Sequence, residues 1–152
     1  AMEEAVTAAL EGNAGIGVVL VDERGNVVMR DRNRMFVPYF RSDYHAEMVL
    51  LTAFEEQHRN QALKGYTLYS SLEPCEMCLI RIINSGISRT CYVAPDEGKG
   101  GLSARELAPH WQKLAQKQRF ARANCTPEFR RLALRVFELS IGDVIEKLQA
   151  RR

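Results

Sequence analysis

The 152-residue chain has no run of about 18 or more apolar residues, so it lacks the sequence of an ordinary membrane-spanning helix. Its first residues, Ala1-Met2-Glu3-Glu4, bring neither the basic nor the apolar region of a signal peptide, and a cytoplasmic address with no membrane partner is expected. Internal repeats, low-complexity tracts and a linker that would mark a second domain are also missing. The length suits one core, so a single domain over residues 1–152 is expected. Cysteine is scarce: four residues, Cys75, Cys78, Cys91 and Cys125, are too few for a disulfide-dense miniprotein. Without a secretory signal they point to thiol or metal chemistry. An apolar share of 46% and a charged share of 26% are those of a globular chain and exclude wholesale disorder.

Net charge is only +2, but it is unevenly spread. Residues 105–152 hold 11 Lys/Arg against 5 Asp/Glu, while residues 1–104 hold 10 against 14. Amphipathic helices with basic solvent faces explain this most simply. A footprint for phosphate or RNA, using Lys113, Lys117, Arg119, Arg122, Arg130, Arg131 and Arg135, is the sharper reading.

Periodicity and punctuation divide the chain into elements. Met2 to Leu10 reads as a short helix before Gly12. The apolar run Gly15 to Val21, the turn sequence Asp22-Glu23-Arg24-Gly25-Asn26 and Val27 to Met29 read as a hairpin. Arg30 to Tyr44 has no clear period and reads as a long loop, whose aromatics Phe36, Tyr39, Phe40 and Tyr44 are candidates to stack on a base. A helix is expected over roughly 45–60, a strand at Tyr66 to Ser71, a helix from Cys75 to Asn84 stopped by Gly86, and a strand at Arg89 to Ala94. Pro95 to Gly101 reads as a Gly-rich loop, Leu107 to Gln118 as helix and Phe120 to Asn124 as a short strand. Thr126-Pro127-Glu128 opens a long final helix with an N-cap, a first-turn proline and an acid. This alternation predicts a three-layer α/β/α sandwich with a mixed five-stranded sheet.

Two short motifs carry the chemistry. His45-Ala46-Glu47 opens one helix and Pro74-Cys75-Glu76-Met77-Cys78 opens the next, with a strand between them. Helix starts gather at the carboxyl ends of parallel strands, so His45, Cys75 and Cys78 can meet in one crevice. One imidazole and two thiolates suit Zn2+, and three protein ligands leave the fourth tetrahedral position to water, as in catalytic sites. A structural site would need a fourth ligand from Cys91, Cys125, His58 or His110. Glu47, two residues past His45, is placed beside the metal and can serve as the proton carrier.

These residues resemble the cytidine deaminase superfamily, whose zinc deaminases carry His-x-Glu and Pro-Cys-x-x-Cys. Within it, Ser71-Leu72-Glu73-Pro74-Cys75-Glu76-Met77-Cys78 is most similar to the bacterial tRNA adenosine deaminases and the guanine deaminases. The resemblance implies that Asn33 holds the base, that the Ala46 N–H is a second substrate contact, and that the protein is a homodimer. Tyr44, which abuts His45, is the first candidate for stacking. Two departures leave the base open: Leu79-Ile80-Arg81 follows Cys78 where relatives carry small residues, with Arg81 to Ile87 similar to the deoxycytidylate deaminases, and Arg41-Ser42-Asp43-Tyr44 lacks the Asp-Pro pair common just before the histidine in the tRNA enzymes.

The expected activity is zinc-dependent hydrolytic deamination of a nucleobase or nucleoside, with a guanine deaminase-like small-molecule substrate favoured. The alternatives are a tRNA adenosine-to-inosine deaminase bound through the basic C-terminal region, a deoxycytidylate-type or cytidylate-type deaminase, and a zinc-retaining partner subunit without enzymatic activity. Retention of Glu47 counts against the last of these.

Overall fold

The computed structural model describes residues 1–96 and 107–152. Among these residues ten elements follow in order: α1 (Met2–Leu10), β1 (Gly17–Val21), β2 (Val27–Arg32), α2 (Ala46–Gln57), β3 (Thr67–Leu72), α3 (Glu76–Ser85), β4 (Arg89–Ala94), α4 (Pro109–Ala115), β5 (Arg119–Arg122) and α5 (Pro127–Gln149). One sheet of order β2-β1-β3-β4-β5 holds the strands. β1 runs antiparallel to β2 and β3, while β3, β4 and β5 are mutually parallel.

Local chemistry sets the boundaries. In the β1–β2 turn, Asp22 accepts from the N–H groups of Arg24 at 2.9 Å and Asn26 at 2.8 Å, while Gly25 takes φ 88°. Gly86 ends α3 in the left-handed conformation at φ 75°. Thr126 caps α5 by accepting from Phe129 N–H at 3.2 Å, with Pro127 at the first helical position.

Helices cover the sheet on both faces, which gives the expected three layers. In front, Leu50, Leu51 and Phe54 of α2 and Ile82 of α3 close a core on Val18, Leu20 and Leu68. Behind, α5 contributes Ala133 to a cluster with Leu72, Val93 and Ala94. There α1 lies directly on the β1 backbone, because a Cβ at Gly17 would collide with Ala1 O and Ala5 N. Among the described residues no helix is long and apolar enough to cross a membrane.

Several expected boundaries shift. The hairpin's first strand starts at Gly17 instead of Gly15, and its second extends through Arg32, lengthened by pairing of Arg30, Asp31 and Arg32 with β1. α2 ends at Gln57, short of 60. The helix expected from Leu107 to Gln118 contracts to Pro109–Ala115. Gln118 lies outside it, and its amide donates to Ile82 O and Ile83 O in the last turn of α3 and to Ile87 O just past it. The strand expected at Phe120 to Asn124 is Arg119–Arg122. Most of the expected Gly-rich loop falls on residues 97–106, outside the described residues.

Candidate active site

α2 enters β3 and β3 leads into α3, so the first turns of both helices lie at the carboxyl end of β3. His45 is the N-cap of α2 and Cys75 the N-cap of α3, both in extended backbone conformation. Cys78 is the third residue of α3. The helix expected to start at Cys75 starts at Glu76. Cys75 stands one residue outside the helix, where an N-cap side chain turns back over the third residue.

His45 Nδ1 lies 3.5 Å from Cys75 Sγ and 3.6 Å from Cys78 Sγ. The three potential ligand atoms all fall within 4.8 Å of one another. In a tetrahedral zinc site, with Zn–N near 2.0–2.1 Å and Zn–S near 2.3 Å, nitrogen and sulfur stand about 3.6 Å apart. The spacing therefore fits zinc. Among the described residues this is the one such group, and none of Cys91, Cys125, His58 or His110 joins it. His58 instead stacks on Phe54 with ring centroids 4.6 Å apart.

The charges tell the same story. A hydrogen bond from the Cys78 thiol, with the His45 ring as a second partner, holds the Cys75 thiol down at about 3. That bond, together with burial, pushes the Cys78 thiol up. Two thiols at this separation share one proton unless a cation allows both to ionise, and Zn2+ is such a cation.

Glu47 lies on the core-facing stripe of α2, with Leu50, Leu51 and Phe54 at helical spacing below it. It is 3% exposed, and burial, with the charge of Cys75 as a further cause, raises its carboxyl above the usual carboxylate range. Its Oε1 accepts a hydrogen bond of 3.1 Å from Ser70 Oγ on β3.

The other expected contacts are placed as follows. Asn33 is buried immediately after β2, where its N–H donates to Ile16 O and its Oδ1 accepts from Met35 N–H at 3.1 Å. Ala46 is buried as the first residue of α2, a position whose N–H has no acceptor within the helix. Tyr44 is half-buried, with the Arg41 guanidinium 4.1 Å from its ring centroid. Phe36 and Phe40 turn elsewhere. They pack on each other, with Lys147 of α5 5.4 Å from the Phe36 ring centroid and Arg151, just past that helix, 3.7 Å from the Phe40 centroid.

Sequence reasoning missed Ser70 and Asn13. Ser70 carried a signal, since a polar residue stands two positions from Leu68 on the inward face of a central strand. Asn13 had none, because the donors its Oδ1 accepts from, the N–H groups of Phe36 and Val37, lie more than 20 residues away.

A mixed sheet whose central parallel strand leads into a paired His/Cys/Cys site with a buried acid beside it defines a zinc-site α/β protein. Residues 1–94 match the family model for the cytidine and deoxycytidylate deaminase zinc-binding region, and the chain belongs to that family. It is 36% identical over 107 residues to a tRNA-specific adenosine deaminase of Haemophilus influenzae, covering 69% of this chain and 60% of that protein. A tRNA-specific adenosine deaminase of Bacillus subtilis is 34% identical over 120 residues, 79% of this chain and 70% of that one. A probable cytosine deaminase of Schizosaccharomyces pombe is 37% identical over 70% of this chain and 56% of its own length. The chain thus spans between 56% and 70% of these relatives. Among solved structures, a tRNA:A34 deaminase superposes with TM-score 0.69 at 28% identity, over 90% of this chain and 94% of that one. The guanine deaminase of Nitrosomonas europaea superposes with TM-score 0.67 at 18% identity, over 90% and 80%, a likeness of fold alone.

Proposed function

We propose that this chain is a single-domain hydrolytic deaminase that converts an adenosine in a tRNA loop to inosine. In this reading His45, Cys75 and Cys78 hold Zn2+, which when bound supplies Lewis-acid activation of water. Glu47 would take a proton from the attacking water and deliver it to the ring nitrogen beside the amine-bearing carbon, then carry the remaining hydroxyl proton to the departing amine. Water is consumed, the ring carbon becomes a carbonyl and ammonia leaves. Asn33 and the Ala46 N–H orient the base, and Tyr44 stacks on it.

The observation that carries the reading is the burial of Glu47 against the His/Cys/Cys group, because a carboxylate is costly there unless it works. Support for RNA over a free base comes from the relatives above 30% identity that are named for tRNA adenosine. The guanine deaminase likeness is one of fold alone and lends no comparable support to the small-molecule purine reading favoured on sequence.

The test incubates the zinc-loaded protein with a tRNA stem-loop, and separately with guanine, adenine, cytosine, their nucleosides and deoxycytidylate. Inosine should form in the RNA. Glu47→Gln should keep about one zinc per chain while the rate falls by about 10²–10⁴. Ammonia from guanine or deoxycytidylate with none from the RNA would overturn the substrate, and an undiminished Glu47→Gln rate would overturn the role of Glu47.

A further inference from the structure

We propose that Ser70 is a positioning residue for the reaction, holding the Glu47 carboxylate in its working orientation from behind; this rests on the deaminase reading above. Ser70 is fully buried on β3, the central strand, where its register partners are Val18 of β1 and Tyr92 of β4. Both edges of the strand are paired, so the Ser70 backbone has no room to shift. Two positions earlier on the same face, Leu68 packs into the core with Leu50, Leu51 and Phe54 of α2. A hydroxyl in this row is a cost unless it finds a partner, and the partner is Glu47 Oε1 at 3.1 Å. Glu47 itself stands at the top of the α2 stripe that packs on this face. The hydroxyl reaches the acid from the sheet side, while the Cys78 and Cys75 sulfurs neighbour it on the site side.

The geometry gives the two carboxylate oxygens different duties. Oε1 takes the Ser70 hydrogen bond, and in this scheme Oε2 is the oxygen that exchanges protons. Without the hydroxyl, the carboxylate keeps its charge but loses the bond that sets its rotation, and a general acid–base group works only when its proton-carrying oxygen is in reach. Ser70 touches neither the metal ligands nor the substrate in this scheme. Its effect passes through Glu47.

Ser70→Ala and Ser70→Thr are compared with the wild type for zinc content, thermal midpoint, kcat and KM on the tRNA stem-loop. The Ala variant should keep its zinc and lose about 10- to 100-fold in kcat, with KM changed by less than about threefold. The Thr variant, which retains the hydroxyl, should recover most of the kcat. A Ser70→Ala protein with wild-type kcat overturns the assignment, as does one whose loss Thr does not restore. If instead both variants lose zinc in proportion to kcat, Ser70 serves the fold of the metal site and not Glu47. A wild-type protein that turns over none of the substrates above overturns the deaminase reading, and this inference falls with it.

Discussion

The two helical layers of this protein are built on different terms. In the front layer, α2 and α3 each begin at a residue of the candidate site, and His45, Glu47, Cys75 and Cys78 all lie within one turn of a helix start. In the back layer, α1 and α5 are held by side chains that reach far along the chain. Ser140 Oγ accepts from Gly15 N–H at 2.7 Å, Lys147 Nζ donates to Gly12 O at 2.8 Å, and Arg130 Nε donates to Val93 O at 3.2 Å. The front layer is specified by short motifs and the back layer by long-range hydrogen bonds. The same contrast reinterprets the basic C-terminal third. Arg131 pairs with Glu128 and Arg135 with Glu138 on α5 itself, and Arg130 is spent on the end of β4. An excess that looked free to meet RNA is thus partly engaged in holding its own helix.

The largest effect expected is in the front layer. Cys78→Ala removes a buried ligand from a three-ligand set, so zinc should fall from about one per chain to about none and deamination should become undetectable. A chelator should do the same to the wild type, with activity returning on added Zn2+. Full zinc occupancy in Cys78→Ala would break the account of the front layer at its base.

A smaller effect tests the back layer. Asn13 sits between α1 and β1, 1% exposed, and its Oδ1 accepts from Phe36 N–H at 2.8 Å and Val37 N–H at 3.1 Å. Asn13→Ala leaves two donors without their acceptor, at a cost of about 2–3 kcal/mol in unfolding free energy. The loop it holds leads from Asn33 to His45, so KM should rise more than zinc content changes. A denaturant midpoint equal to that of the wild type would show that the long-range bonds of this layer are dispensable.

How much of this was legible in the sequence follows the same division. His45, Glu47, Cys75 and Cys78 could be named because a helix start places ligands at fixed spacing, and spacing is what a sequence displays. The five strands and their mixed sheet followed from alternation and turn chemistry. The packing of Phe36 and Phe40 was not legible for the opposite reason: they find Lys147 and Arg151 more than 100 residues away, and no local pattern announces a cation at that distance. Ser70 lies between these cases. Its polarity in an apolar row was visible, but its partner Glu47 becomes evident only when α2 is laid on β3.

The smallest effect sharpens the comparison through pH. Arg32 at the end of β2 ties the back layer to the sheet: its NH1 lies 2.9 Å from Glu4 Oε2, its NH2 2.7 Å from Glu11 Oε1 and its Nε 2.8 Å from Glu11 Oε2. The guanidinium hydrogen bond holds the Glu11 carboxyl below its ordinary value of 4.5. A carboxyl lowered in the folded state stabilises the fold above its unfolded value, and that stabilisation disappears as pH falls through the folded value. Arg32→Met keeps the aliphatic stem and removes the charge, so it should cost about 1 kcal/mol at pH 7, the size expected of a partly exposed bidentate pair. The difference between the two proteins should hold steady down to about pH 5 and shrink below pH 4.5, as the Glu11 carboxyl protonates. Unfolding free energies measured from pH 7 to pH 3 decide the matter. A gap that stays constant to pH 3 would mean that Arg32 holds α1 by packing its stem, leaving the back layer without the ionic tie assigned to it here.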